Sequence, residues 1–225
     1  MPISAKLYIA ISVILGYALL AGALIWSSEF PDKARYLACL SLACIASTMK
    51  IRFPGMQATI SVNFVFILTA LTELSLMETI TIAFAATLVQ CFWRPKTRPK
   101  LIQLLFNTSS VVISAALAYG AARAVPGRAH LLLALTAAAS VFFVINTGMI
   151  SLVLAFLSKS TLLAIWKRCH LWAFPYYLVG AAIAAASAQS SQTVGWRLSL
   201  LILPLMYLTY SYYKGYVSSH ETTRP

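Results

Sequence analysis

The sequence predicts an all-α, polytopic membrane bundle of about eight transmembrane helices with both termini in the cytoplasm. Three observations lead there. The chain has 225 residues, 60% of them hydrophobic and only 10% charged, whereas in soluble domains about a quarter are charged. Its apolar residues gather into long runs, and a helix needs roughly 20 of them to cross a hydrocarbon core about 30 Å thick at about 1.5 Å per residue. Its 17 Lys and Arg against five Asp and Glu, a net charge of +12, fall almost wholly between those runs. Barrel strands do not fit, because the runs lack a two-residue alternation and unpaired amides cost several kcal/mol each in lipid.

The first span is expected at residues 7–26. Lys6 followed by an apolar run and Ala21-Gly22-Ala23 also fits a secretory signal cleaved near residue 23. The run continues through Ile25 and Trp26, however, and is long enough to span, which favours a retained helix. Two short spans follow at 35–49 and 60–74, then 76–93, 101–122, 130–157, 171–189 and 196–216. Residues 1–216 form a single transmembrane domain and 217–225 a short polar cytoplasmic tail.

Eight spans put both termini on one side, and the charges say which. Lys6, Lys50, Arg52, Arg94, Lys96, Arg98, Lys100, Lys159, Lys167, Arg168, Lys214 and Arg224, 12 of the 17, share one face. Lys33, Arg35, Arg123, Arg128 and Arg197 share the other. Short loops rich in Lys and Arg remain cytoplasmic, so the first face is internal and the expected location is the inner membrane. Nucleic acid is an improbable partner, since no basic stripe interleaved with aromatics lies outside the spans. Contact with anionic headgroups accounts for the charge. The Tyr-rich end of the last span, from Tyr207 to Tyr216, suits the headgroup level.

Catalysis by this chain alone is not expected. Asp32 is the only aspartate, and His130, His170 and His220 are too scattered for a metalloprotease pair. No serine lies in a nucleophile turn, and no His or Lys is placed by the sequence to activate one. Cys39, Cys44, Cys91 and Cys169 follow no metal or disulfide spacing. No cofactor or metal is called for.

Three polar features remain as candidate sites. Glu73 and Glu78 flank the outward turn between the third and fourth spans. They either face water, or form a cation site or an ion pair with Arg123 or Arg128, because carboxylates near lipid are costly unless hydrated or paired. Asn63, Gln90, Gln103 and Asn107 fall at similar depth toward the cytoplasmic side, with Asn146 deeper in the sixth span. These amides either join helices by hydrogen bonds or line a ligand pocket. Arg94, Lys96, Arg98 and Lys100, stiffened by Pro95 and Pro99, form a basic cytoplasmic loop that fixes topology or binds an anion. Gly180, Ala184 and Ala188 recur at helix spacing, which lets a neighbouring backbone come close.

The segments Ile60-Ser61-Val62-Asn63-Phe64-Val65-Phe66, Glu73-Leu74-Ser75-Leu76-Met77-Glu78 and Leu104-Leu105-Phe106-Asn107, with the exit Tyr210-Ser211-Tyr212-Tyr213-Lys214-Gly215-Tyr216, resemble one family. They are similar to the multi-spanning membrane-associated sensor regions that precede GGDEF or HD-GYP modules in bacterial cyclic-di-GMP signalling proteins. The resemblance runs from about Ile51 to Tyr216. It implies a membrane-embedded sensory or regulatory domain that passes a signal to a cytoplasmic output, with Asn63 and Asn107 inside its motifs. Relatives often place Pro where this chain has Met77, which makes the hairpin here less sharply bent. The output domain is absent from this chain, so a cytoplasmic signalling enzyme in trans is the expected partner unless the chain is a fragment. A second copy of the chain is a further candidate partner. The rivals are a small-molecule transporter or substrate-capture subunit, and a structural assembly factor.

Overall fold

A computed structural model of the chain describes residues 1–26, 32–52, 59–95, 98–126, 130–158 and 160–193, together with Pro204, Tyr207 and Ser211. The expected last span at 196–216, those three residues apart, and the tail at 217–225 lie outside the described residues. The described residues form eight α-helices, α1 (Ile3–Trp26), α2 (Lys33–Thr48), α3 (Phe64–Glu73), α4 (Leu76–Phe92), α5 (Leu101–Ala124), α6 (Leu131–Ser158), α7 (Leu162–Cys169) and α8 (Phe174–Thr193). Two short strands, β1 (Lys50–Arg52) and β2 (Thr59–Ser61), pair antiparallel between α2 and α3.

Local chemistry explains several boundaries. The Asp32 carboxylate accepts the Arg35 N–H at 3.0 Å and caps α2. Ser75 and Glu78 cap α4 reciprocally, the Ser75 hydroxyl accepting the Glu78 N–H while the Glu78 carboxylate accepts the Ser75 N–H. Helix α4 stops at Trp93 because Arg94 takes a left-handed φ of 40° and Pro95 follows. The Lys50 ammonium donates to the Trp93 carbonyl at 2.6 Å, pairing an oxygen left free at that helix end.

Helices α1, α5 and α6 are long and apolar enough to cross a membrane. Helix α1 turns most of its surface outward, as a lipid-facing helix would, and comes against α5 at Gly16. Helix α3 is the opposite case. Every residue from Phe64 to Leu71 is buried, and α3 packs against α2, α4, α5, α6 and α8.

The expectation for the third span is therefore corrected. The run at 60–74 yields a helix of only ten residues, because 59–61 pair with 50–52 as a strand. Ten residues rise about 15 Å, half a hydrocarbon core. An apolar half-helix continued by strand backbone is tolerated at membrane depth only when protein encloses it. The sequence carried a signal in β-branched Ile51, Thr59, Ile60 and Val62 on either side of Pro54-Gly55.

The second correction concerns the connection between the spans expected at 130–157 and 171–189, and the start of the latter. Residues Leu162–Cys169 form the eight-residue helix α7, and Leu171–Ala173 form a 3-10 turn before α8 begins at Phe174.

Contacts sort the helix ends into two groups. Lys50 with Trp93, Asn63 with Gln90, and Cys91 with Asn107 gather one end. Arg35 with Glu73 gathers the other. Helices α2 to α5 thus alternate in direction, with a basic and an acidic end. Mutating the α4 cap tests this frame: Ser75→Ala is expected to destabilise the chain by about 1 kcal/mol, with Ser75→Thr near neutral, by thermal unfolding in detergent.

Candidate functional site

At the acidic end, three helix termini converge on two carboxylates. Arg35, in the first turn of α2, places Nη2 2.8 Å and Nε 3.0 Å from Glu73 Oε2. Glu73 is the last residue of α3, where the helix dipole is negative, so an anion there needs a compensating cation. Glu78 sits in the first turn of α4, where the dipole favours it, and its Oε2 also accepts the Ser75 hydroxyl at 2.7 Å.

Both acids are buried. Glu78 is 2% exposed and the Glu73 side chain 5%. The expectation that both face water is corrected, as is the choice of Arg123 or Arg128 as partner. Arg123 instead donates to its helical neighbour Tyr119 and lies over that ring, and Arg128 lies outside the described residues. Each carboxylate keeps one buried oxygen, Oε1, without a hydrogen-bond partner among the described residues. Such groups are expensive in a low-dielectric interior, which makes this turn sensitive to anything that changes its charge.

The amide layer is only partly assembled. Asn63 Nδ2 lies 3.4 Å from Gln90 Oε1 and Asn107 Nδ2 lies 3.9 Å from Cys91 Sγ, both long contacts. Gln103 does not join them. Its side chain accepts the Lys100 N–H at 3.0 Å, caps its own helix and is exposed. In the basic loop, Arg94 lies over the Trp93 ring, Arg98 and Lys100 are described, and Lys96 lies outside the described residues.

Asn146 belongs to a different set that the sequence reading missed. Its Oδ1 accepts the Ser110 hydroxyl of α5 at 3.2 Å. One residue further along α6, Thr147 accepts the indole N–H of Trp166 at 2.8 Å. One turn beyond, Ser151 Oγ lies 3.0 Å from His170 Nδ1. Thr147 and Ser151 are four apart on α6, as Trp166 and His170 are at α7, so two stripes of equal spacing meet pair by pair. That matched spacing is the sequence signal for the seam. Phe143, one turn earlier, packs against Trp166, Phe174 and Tyr177 at ring-centroid distances of 5.8, 5.1 and 5.1 Å.

The Ser151 and His170 pair is a contact that spacing along the sequence does not show. The fold brings them together across 19 residues. Ser151 is fully buried and no carboxylate bonds to His170 among the described residues, so the pair lacks both access and an orienting acid. Burial holds the His170 imidazole below its usual range and therefore neutral at pH 7. It ties α6 to the α7–α8 connection. Among the described residues, no three His, Cys, Asp or Glu are grouped to hold a metal ion.

The small-residue stripe on α8 serves a ring rather than a backbone. Any Cβ on Gly180 would collide with Phe64, whose ring lies between Tyr176 and Tyr177 at 5.0 and 4.7 Å. Ala184 and Ala188 are buried below it.

A helical bundle with apolar membrane-length helices, and with charged and amide groups at its two ends, defines a membrane-embedded domain. The profile of the MASE9 family matches residues 35–214, and the chain belongs to that family of membrane-associated sensor domains. No match was found among curated proteins or among solved structures.

Proposed function

We propose that this chain is the receiving part of an inner-membrane, multi-pass sensor that passes its signal to a cytoplasmic output of the cyclic-di-GMP type. One observation carries the reading. Helix α3 touches both centres: it ends at Glu73 in the acid and arginine turn and begins at Asn63 and Phe64, against Gln90 and against the α8 rings. A rigid, fully buried half-helix can convert a change at one end into a shift of α8 at the other. The chain carries no catalytic chemistry in this proposal; a signalling enzyme in trans, or fused after the last span, supplies it. Both termini are cytoplasmic.

Fusing the chain through its C-terminal end to a diguanylate cyclase module and measuring cyclic-di-GMP tests the reading. Asn63→Ala and Arg35→Ala are expected to change output severalfold while membrane insertion is kept. Unchanged output with stability lowered by about 0.6–2 kcal/mol, the range for interhelical hydrogen bonds, would leave only helix packing.

Transport is the second reading, favoured by one feature. Transporters place binding sites where a discontinuous helix meets non-helical backbone, as α3 meets the β1–β2 hairpin. Solute accumulation in vesicles holding the chain alone would favour it over sensing.

A further inference from the structure

We infer that α7 is a binding element for anionic phospholipid headgroups, lying across α6 at the membrane boundary with Leu162 and Leu163 toward the acyl chains and Lys167 toward the phosphates. The inference rests on the membrane-sensor reading and supplies that sensor with a ligand class.

Length excludes the alternative of a span, since eight residues rise only about 12 Å. The exposed surface is mixed in kind. Leu162 and Leu163 are 44% and 56% exposed, and the exposed Lys167 stands four residues after Leu163, on the same helix face. Trp166, four residues after Leu162, bonds Thr147 and holds that edge of α7 to α6. Exposed apolar side chains beside a cation, on a helix anchored along one edge, are the composition of an interfacial helix.

Depth agrees with composition. Counting about 1.5 Å per residue from Leu131, Thr147 and Ser151 lie about 24 and 30 Å along α6, where a core about 30 Å thick ends. Those are the two residues that hold Trp166 and His170.

Charge selects the lipid. From Thr79 to His220 the sequence contains no acidic residue, while Arg94, Lys96, Arg98, Lys100, Lys159, Lys167 and Arg168 all fall there. Tyr8 meets both Phe106 and Phe156, at 6.2 and 6.0 Å, so the start of α5 after the basic loop and the end of α6 before α7 share one end of the bundle. Nothing in that stretch of chain neutralises the end, and anionic headgroups do so at about fivefold in affinity per Lys or Arg. An acidic protein would satisfy the charges but not the exposed leucines at acyl depth. Since the 3-10 turn joins α7 directly to α8, a lipid-driven shift of α7 moves α8 with it.

The full chain in nanodiscs of phosphatidylcholine, with or without about one third phosphatidylglycerol, tests this through amide hydrogen exchange of residues 160–173. Exchange should be severalfold slower with phosphatidylglycerol, and the difference should shrink in high salt. Lys167→Gln should reduce the difference by up to about fivefold, and Leu163→Ser should speed exchange in both lipids, with α5 and α6 protected as before. Equal exchange in the two lipids overturns the inference. So does protection that appears only when cytosolic protein is added, which would assign the face to an acidic partner. Composition-dependent protection with no change in cyclase output from the fused chain would keep the lipid site and remove the sensor reading. Output that responds to mutation without lipid-dependent protection would do the reverse.

Discussion

Replacing Arg35 by leucine should destabilise the folded chain by about 3 kcal/mol, read as a lower unfolding midpoint in detergent. The mutation leaves Glu73 as an uncompensated charge, 95% buried and at the negative end of α3, and breaking such a pair costs about 3–5 kcal/mol. The lower figure applies because Arg35 is itself 24% exposed and water reaches part of the pair. Glu73→Gln should cost less, since it removes the charge along with its partner's role. The double mutant Arg35→Leu/Glu73→Leu should recover most of the loss, because the desolvation penalty of both ions disappears. A double mutant as unstable as Arg35→Leu alone would show that the pair is not what holds the three helix ends together.

Gly16→Ala should cost about 1–3 kcal/mol and loosen α1 from α5. Its new methyl would collide with Ser109 Cβ and stand 2.6 Å from Ser109 Cα, a backbone atom that cannot turn aside. Gly22 on the same helix is the control. Nothing lies within 4 Å of a methyl there, so Gly22→Ala should be neutral or slightly stabilising through helix propensity. Cysteine crosslinking or hydrogen exchange of α1 separates local detachment from global unfolding. Equal effects at the two glycines would contradict the close approach.

The parts of the fold readable in the sequence are those set by local chemistry. Pro95, Pro99 and the surrounding charges bound α4 and α5, which begin and end within a few residues of the expected limits. Ser75 and Glu78 stand at capping-box spacing. What escaped depends on partners far along the chain. Whether Ile60 continues a helix or pairs with Ile51 is decided by tertiary enclosure, since the same apolar residues suit either state. Glu73 finds Arg35 across 38 residues, and no spacing rule selects it over Arg123. Gln103 looked like a member of the amide layer by depth alone, but depth does not say which way a side chain turns. The seam between α6 and α7 escapes because α7 falls between the two expected spans, and its matched spacing means nothing until both stripes are helical.

The half-length of α3 also bears on how the protein is made. A ten-residue apolar segment is too short to be held across a bilayer by itself, so it should enter with α4 as a hairpin. Its amino end cannot be enclosed until α8 arrives, because Tyr176, Tyr177 and Gly180, which receive Phe64, are synthesised more than 100 residues later. During that interval the first backbone N–H groups of α3 lack the surroundings that protein later gives them. Biogenesis of this domain therefore waits on its C-terminal half, and a ribosome paused before α8 would display an inserted but unfinished core.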